Sequence, residues 1–535
     1  MSDSQATSPG LDLRWGIAVV AILALLGTGC SGRSSAEPPR AIPMAPRPTL
    51  ERDALIQGHR LRYALHLAEA PNLIYQLDCI SGAALCAQPI YRELWATFQL
   101  DAADEAALAR WKALRAKHGG ELRRVDIPRP AQALLAPSGI FDLAERQRIA
   151  GLRARTPDAY QEAMALLSTD SDAQGLRDVL ERFAPRFGEW WRQHGFAAGS
   201  VFFDGFRRLL GDSFLDSTIE KAAHFYEADL PPGTTFQIHV LVQPRSARKF
   251  HVAYQLEGDA AVEAPEDGTP ESLIDVVAHE LFHYLFFRMD PQRQAAFLAD
   301  VCASDDPFAV ASFGMLDEAV AAALGNGIVG RHYSSPEAFT AQVARGFIHY
   351  RAAGSLAREL LPSMQDVLDR GTLVSSPEFR RVFRAAAQAS YDGGRPRPID
   401  YLHSHVSIAG PSFAGAAQRL RDASWAGFPN LREYASLDVE AKAFLTAHPF
   451  ENVALFLQGP VPPSVLEELA PASKRALPAP LLTSGSRGFV YAAPRTAKSY
   501  LFLFVADDAK TMDDLVDRFA ALPAGAGGVP VDRKK

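Results

Sequence analysis

An HExxH motif inside an apolar run constrains this chain more than any other stretch of its sequence. The run is Asp275-Val-Val-Ala-His279-Glu280-Leu-Phe-His283-Tyr-Leu-Phe. On a helix, residues four positions apart lie on one face, so His279 and His283 can direct their imidazoles to one point. The chain has 14 histidines in 535 residues. Roughly 0.02 matches to the motif are expected by chance in one chain of this composition. The stretch therefore predicts a helix that carries a metal site.

Two histidines and a neighbouring carboxylate are the residue types of a catalytic zinc site. Zinc takes nitrogen ligands in a tetrahedral arrangement and keeps one position for water when it is catalytic, so one further protein ligand is needed. Glu280 lies one step round the helix and can take a proton from that water as a general base. The alternative is a core helix whose histidines are satisfied by hydrogen bonds, which would leave Glu280 as a poorly placed buried charge.

A second helical stretch supplies the candidate for the third ligand. It reads Phe313-Gly-Met-Leu-Asp317-Glu318-Ala-Val-Ala-Ala-Ala-Leu-Gly-Asn326, with an acidic pair at its start followed by small residues. This arrangement resembles the gluzincin zinc peptidases, the thermolysin-like clan, in which a second helix contributes a glutamate. The resemblance makes Glu318 the third ligand. The other interpretation of Asp317 and Glu318 is an acidic first turn that the helix dipole favours.

The resemblance extends over roughly residues 230 to 350 and departs from the family pattern at one position. Thermolysin carries an aspartate four residues after its glutamate, which orients a ligand histidine, whereas this chain has Ala322. That role is therefore vacant or falls to Asp317 or Asp275. The metzincin pattern HExxHxxGxxH is excluded, because Phe286 and Met289 occupy the positions of its glycine and third histidine.

Runs rich in β-forming residues precede the motif, at 235–243, 250–256 and 260–263. Strands that lead into an HExxH helix follow the order of the zincin metallopeptidases. That resemblance implies that a strand within 250–262 lies along the cleft and pairs with an extended peptide substrate.

A peptidase of this kind also needs a donor for the oxyanion that forms at the attacked carbonyl. Tyr333 is close enough in sequence to Glu318 to reach the cleft and is the preferred candidate. His332, His403 and His405 compete for the role.

Residues 1–30 read as an export signal rather than as part of the fold. The apolar run from Trp15 to Leu26 is too short for the roughly 20 residues of a membrane-spanning helix. It ends in Leu-Leu-Gly-Thr-Gly-Cys30-Ser31, which resembles a bacterial lipobox, although Gly27 replaces a larger aliphatic residue. The resemblance implies lipidation of Cys30 and anchoring at the outer membrane or cell surface, with an uncleaved anchor as the alternative.

The cysteines and the charge agree with an exported protein. Cys79 and Cys86 lie close together in a turn-like stretch, which predicts a local disulfide in an oxidising periplasm. The formal net charge is −7 and basic blocks are absent from the sequence, which argues against nucleic acid as a partner.

The predicted fold class is α+β and mainly helical, with a zincin-like domain and a small C-terminal α/β domain. Helices are predicted at 55–70, 91–119, 141–152, 158–167, 176–194 and 214–226, the last one backing the sheet beside the active site. The predicted domain plan is a signal at 1–30, a disordered tether at 31–50, a helical domain at 51–228, the zincin-like domain at 229–390, an irregular and helical connection at 391–448, an α/β domain at 449–525 and a tail at 526–535.

Two functions follow from these patterns. The preferred one is a lipid-anchored zinc peptidase with one Zn²⁺ per chain that acts on a peptide or protein substrate. The alternative is a zincin-like lipoprotein that binds a peptide or protein partner without turnover. The presence of Glu280 favours the enzyme, because a purely structural zinc site needs no base at that position.

Overall fold

A computed structural model describes residues 50–524, apart from 84–85, 87, 118–121, 126, 128–130, 136–138, 247–251, 303–305, 349, 392–393, 404, 425–431, 448–450, 471–479, 485–487 and 496–498. The predicted export signal, Cys30, the tether up to residue 49 and the tail lie outside the described residues.

The strands are β1 (Glu51–Gln57), β2 (Arg62–Ala68), β3 (Leu122–Val125), β4 (Gly139–Asp142), β5 (Thr235–Gln243), β6 (Ala253–Leu256), β7 (Asp259–Pro265), β8 (His405–Ala409), β9 (Arg432–Tyr434), β10 (Asn452–Gln458), β11 (Leu482–Ser484), β12 (Gly488–Pro494) and β13 (Tyr500–Ala506). The helices are α1 (Glu69–Ser81), α2 (Gln88–Ala96), α3 (Ala102–Ala116), α4 (Gln132–Leu135), α5 (Leu143–Arg153), α6 (Pro157–Leu167), α7 (Asp170–Trp190), α8 (Phe196–Leu209), α9 (Ser213–Phe225), α10 (Ile274–Phe287), α11 (Pro291–Cys302), α12 (Pro307–Ser312), α13 (Leu316–Ala322), α14 (Gly330–Tyr333), α15 (Pro336–Arg345), α16 (Arg351–Asp369), α17 (Pro377–Ser390), α18 (Ala414–Ser424), α19 (Val439–Ala447), α20 (Pro463–Leu469) and α21 (Ala509–Ala520). The predicted α+β, mainly helical class is confirmed.

The sheet nearest the HExxH helix has the strand order β1-β2-β5-β7-β6. β2, β5 and β7 run parallel to one another, whereas the edge strands β1 and β6 are antiparallel to β2 and β7. β6 and β7 pack against α10, so an edge of this sheet lies beside the helix that carries His279 and His283. The three β-rich runs of the sequence thus form neighbouring strands, except that residues 250 and 251 lie outside the described part.

The helix predicted at 55–70 is wrong. That stretch contains the last three residues of β1, a tight turn closed by a hydrogen bond from the Gly58 N–H to the Leu61 carbonyl, all of β2 and the first two residues of α1. Along β2 the residues alternate between half-buried and fully buried, which is the period of a strand. Leu and Ala favour helices locally, but pairing on both sides of β2 outweighs that preference.

The predicted boundary between residues 228 and 229 is also wrong. β2 pairs in parallel with β5, so strands from both sides of this boundary share one sheet. One continuous apolar core runs from Leu61 to Ala387 among the described residues. The N-terminal helices therefore belong to the same folded unit as the HExxH helix.

The remaining N-terminal helices form close to their predicted positions, with local differences. The stretch 91–119 is divided between α2 and α3, and the first residues of 141–152 belong to β4. α7 continues into a π-helical turn, Trp191–Gly195, before α8 begins.

α8, rather than the predicted helix at 214–226, backs the sheet. A Cβ atom at Gly199 of α8 would lie 2.6 Å from Leu67 of β2 and 2.8 Å from Val242 of β5. α9 packs against other helices instead, with the Phe225 and Phe379 ring centroids 5.0 Å apart. Glycine at 199 lets α8 approach the strands closely.

A second sheet, in the order β11-β12-β13-β10-β8-β9, forms the C-terminal α/β unit. β13, β10, β8 and β9 are parallel, and separate apolar clusters cover its two faces. β8, α18 and β9 fall within 391–448, so the predicted irregular connection is part of this domain.

One further feature concerns the export hypothesis. Cys79 and Cys86 are at disulfide distance, with their Cα atoms 5.7 Å apart, at the end of α1.

Within the described residues, the helical stretch Pro307–Tyr333 is long and apolar enough to cross a membrane by length and composition. Because 78% of its most apolar window is buried inside the protein, the stretch also has the character of a core helix.

Two histidines, the half-buried His66 and the buried His239, lie side by side on neighbouring strands of the first sheet. His66 on β2 and His239 on β5 are register partners, and their rings stack with centroids 5.0 Å apart. His66 Nδ1 contacts Asp53 Oδ1 at 2.6 Å, and His239 Nε2 contacts Asp259 Oδ1 at 2.8 Å. Burial, reinforced by the neighbouring His239, lowers the pKa of His66 to about 4.

We expect this histidine pair to make the fold sensitive to acid. A base with a folded-state pKa of about 4 and an unfolded-state pKa of about 6.5 stabilises the protein fully above pH 6.5 and loses that contribution as the pH falls towards 4. The loss should reach up to about 3 kcal/mol. Urea unfolding of His66→Asn between pH 7 and pH 4 should show a flatter profile than the parent, while exposed His224→Asn should follow the parent. Equal slopes for the parent and His66→Asn would contradict the assignment.

Candidate metal centre

α10 is the helix that presents the HExxH motif. Its residues are apolar on nearly every side, and Ile274, Leu281, Phe282 and Leu285 are almost completely buried. A helix that is apolar all round is stable only inside a core. The polar stripe of α10 is therefore held within the protein rather than on its surface.

The second helical stretch is not a regular α-helix. α13 carries Asp317 and Glu318 in its first turn, and the chain then continues through a π-helical segment, Ala323–Val329, into α14. π-helical turns are rare in proteins, and those that do occur are frequently found at functional sites. Here the π-helical segment packs along α10 and contains Asn326, which is 4% exposed.

The two helices bring three ligand atoms together. The described residues contain a group of metal-ligand type formed by His279, His283 and Glu318, with one ligand atom of each within 4.8 Å of the other two. The two Nε2 atoms are 2.9 Å apart. Glu318 Oε1 lies 3.4 Å from His279 Nε2, and Glu318 Oε2 lies 3.3 Å from His283 Nε2.

The Nδ1 atom of each histidine, on the side of the ring away from the cluster, lies within hydrogen-bond distance of an oxygen atom. His283 Nδ1 contacts Asp317 Oδ2 at 2.9 Å, and His279 Nδ1 contacts Asn326 Oδ1 at 3.0 Å. Such partners accept a hydrogen bond from the Nδ1–H group and leave the Nε2 lone pair for a metal. Asp317 thus contacts His283 directly, whereas Asp275 reaches His279 through Asn326.

The charges of the cluster are strongly coupled. Burial alone would lower the pKa of His283, but Asp317 and Glu318 outweigh it and raise that pKa well above its ordinary value. Burial opposes ionisation of Glu318, but contacts with the two histidines lower its pKa below the ordinary value. Burial raises the pKa of Glu280, and the nearby histidines offset part of that effect. The site therefore favours a positive charge among its nitrogens.

Close contact between the two helices depends on Gly325. A Cβ atom at this position would lie 2.7 Å from the His279 backbone nitrogen, 2.8 Å from His279 Cα and 2.9 Å from the Asp275 carbonyl oxygen. These neighbours are backbone atoms and cannot rotate away. Only glycine allows the π-helical segment to lie this close to α10.

Gly325→Ala should therefore displace one helix from the other and disturb the candidate metal site. We expect a loss of about 1–3 kcal/mol in the free energy of unfolding, the usual cost of overpacking, together with weaker metal binding. Gly330→Ala is the matched control, because its Cβ would lie at an ordinary 3.5 Å from Asp275 Cβ. Urea unfolding and zinc titration of both variants would measure these effects. Parent-like stability and zinc affinity in Gly325→Ala would show that the helices can separate freely.

Tyr333 packs against the start of α9. Its ring packs edge-on against Phe214, with centroids 6.1 Å apart, and burial together with Asp212 raises its pKa. His332 stacks on the same Phe214 ring at 3.7 Å. Both rings therefore contact the start of α9.

The other two candidate donors lie in the C-terminal unit. His403 Nδ1 contacts the Ser424 carbonyl oxygen at 2.6 Å, and His405 Nδ1 contacts the Leu402 carbonyl oxygen at 2.8 Å. Burial lowers the pKa of both histidines, and that of His405 to about 4. Both side chains are buried residues of this unit, which accounts for them without a role at the metal centre.

Sequence reasoning missed Asn326 and Gln342. Asn326 had a signal, because it stands between Gly325 and Gly327 inside an otherwise apolar helical run. A buried amide in such a run requires hydrogen-bond partners. Gln342 lies on the surface helix α15, and nothing in its sequence neighbourhood distinguishes it.

Comparison with protein-family models, with curated proteins and with solved structures gave no match to this chain.

Proposed function

We propose that this protein is a zinc-dependent peptidase of the bacterial cell envelope, with His279, His283 and Glu318 as metal ligands and Glu280 as general base. The single observation that carries the proposal is the convergence of the three ligand side chains beside Glu280. The location in the envelope rests on the lipobox-like sequence around Cys30.

The donor set fits zinc. Zinc–nitrogen and zinc–oxygen bonds of about 2.0–2.1 Å place tetrahedral ligand atoms about 3.3–3.4 Å apart. The three separations in the cluster are 2.9, 3.3 and 3.4 Å. Two Nε2 atoms 2.9 Å apart repel if both carry lone pairs, so a proton on one of them or a cation between them stabilises this arrangement.

Glu280 supplies the acid–base chemistry of the proposed reaction. When bound, the metal would polarise the scissile carbonyl and lower the pKa of a water molecule. Glu280 accepts a proton from the attacking water and donates it to the amide nitrogen that leaves. Its 7% exposure and raised pKa suit a group that must both take and return a proton near neutral pH.

An extended peptide is the substrate that the surrounding sheet favours. β6 is an antiparallel edge strand and packs beside α10. An edge strand presents backbone N–H and C=O groups that an extended chain can pair with. Pairing along 253–256 would hold a peptide bond next to the metal ligands.

A metal analysis of purified protein beside a peptide-cleavage assay tests the proposal. We expect about one zinc per chain and cleavage that stops after chelation and returns on addition of zinc. Zinc-loaded, folded protein that cleaves nothing across a broad peptide library would favour the non-catalytic binding protein instead. Protein that binds no zinc would overturn both the metal site and the reaction.

A further inference from the structure

A chain of hydrogen bonds leads from His279 to the surface helix α15. His279 Nδ1 contacts Asn326 Oδ1 at 3.0 Å, and Asn326 Nδ2 donates to Asp275 Oδ2 at 3.1 Å. Gln342 Nε2 donates to the same Asp275 oxygen at 2.8 Å. Asp275 and Asn326 are buried, and Gln342 is half-buried on a helix that has no buried residue.

Asp275 sets the donor-to-acceptor direction of these hydrogen bonds. An ionised carboxylate can only accept hydrogen bonds, so Asn326 must turn its NH₂ group towards Asp275. Its carbonyl oxygen then faces His279 and requires a proton on His279 Nδ1. The Nε2 atom is consequently left with its lone pair directed at the ligand cluster.

The hydrogen-bond partners of His279 and His283 differ in whether their own orientation matters. Asp317 is an acceptor in either of its orientations, so it holds the His283 Nδ1–H form by itself. An amide is not, because a reversed Asn326 would donate to His279 Nδ1 and move the proton to Nε2. A histidine protonated at Nε2 cannot bind a metal through that atom.

We infer that Asp275, acting through Asn326, is a positioning residue that fixes the tautomer of His279, with Gln342 holding Asp275 from α15. The consequence for zinc binding rests on the proposed function, whereas the consequence for the tautomer does not. Gly325 contributes by keeping the π-helical segment, and with it Asn326, against α10.

Exchanging the two side chains tests this inference. Asp275→Asn replaces an acceptor-only carboxylate with an amide that can also donate to Asn326, so the direction of Asn326 is no longer fixed. Zinc affinity, measured by competition with a chelator, should therefore fall about 10- to 100-fold. The double variant Asp275→Asn with Asn326→Asp restores a fixed direction, because the carboxylate at 326 can only accept from both His279 and the amide at 275. Its zinc affinity should return to within about 10-fold of the parent. Gln342→Leu should cost less than Asp275→Asn, since Asp275 keeps its charge.

Nitrogen-15 NMR of the metal-free proteins provides the second readout. The His279 signals, assigned with His279→Gln, should report Nδ1–H in the parent and in the double variant and a shift towards Nε2–H in Asp275→Asn. If these residues have a purely structural role, the losses of zinc affinity caused by Asp275→Asn and Asn326→Asp should add rather than cancel. An unchanged tautomer in Asp275→Asn, or a double variant weaker than either single one, would overturn the inference. A parent with Nδ1–H that binds no zinc would instead refute the proposed function and leave the tautomer assignment standing.

Discussion

Glu280→Gln should retain zinc and the native fold but cleave peptides at least about 10²- to 10⁴-fold more slowly than the parent, the usual contribution of a general base. Glutamine is nearly isosteric with glutamate and keeps an acceptor oxygen, so packing within the buried stripe of α10 should survive. It cannot hold the proton taken from the attacking water. The measurement is kcat and KM on a cleaved peptide, with zinc content and thermal unfolding determined on the same preparation.

The pattern of the kinetic change separates catalysis from binding. Loss confined to kcat, with peptide affinity nearly unchanged, identifies a group that acts in the reaction step. Exposed Glu162→Gln on α6 is the matched control and should behave like the parent. Parent-like turnover by Glu280→Gln would remove Glu280 from the base role.

Replacing His279 and His283 together by Ala should reduce the zinc content from about one per chain to nearly none and abolish cleavage. The two imidazoles supply both nitrogen donors of the cluster, and Glu318 alone offers a single carboxylate. Elemental analysis after dialysis against a weak chelator measures the loss. Exposed His224→Ala should keep its zinc.

The third ligand should give a graded result. Glu318→Gln removes a charged ligand but leaves both histidines, so zinc should bind more weakly rather than disappear. Full zinc retention in the double histidine variant would place the metal elsewhere. Unchanged zinc affinity in Glu318→Gln would restrict the site to the two histidines.

The parts of the site that could be predicted from the sequence are those that depend on local geometry. Spacing of four residues on a helix decides that His279 and His283 share a face, whatever surrounds them. The β-rich residues of 235–243 likewise specify a strand because their character suits a pleated, buried surface. Glu318 was predicted through family resemblance, and the structure brings it within 3.4 Å of the histidine nitrogens.

The arrangement of the first sheet could not be predicted from local patterns. β2 pairs with β5, which follows it in the chain by more than 150 residues, and this pairing turned a helix-favouring stretch into a strand. Local propensity amounts to a few tenths of a kcal/mol per residue, so burial within a sheet readily outweighs it. The false boundary at residue 228 had the same origin.

The sequence by itself determined the HExxH helix, its two nitrogen donors, the neighbouring carboxylate and the mainly helical α+β class, because each depends on residue type and short-range periodicity. Only the tertiary structure decided the partners of those donors. Asn326 reaches His279 through a π-helical segment that Gly325 allows to approach α10, and Tyr333 packs against Phe214 although it is close to Glu318 in sequence. The physical reason is that a hydrogen bond depends on distances of about 3 Å, and proximity along the chain does not fix such distances once helices pack.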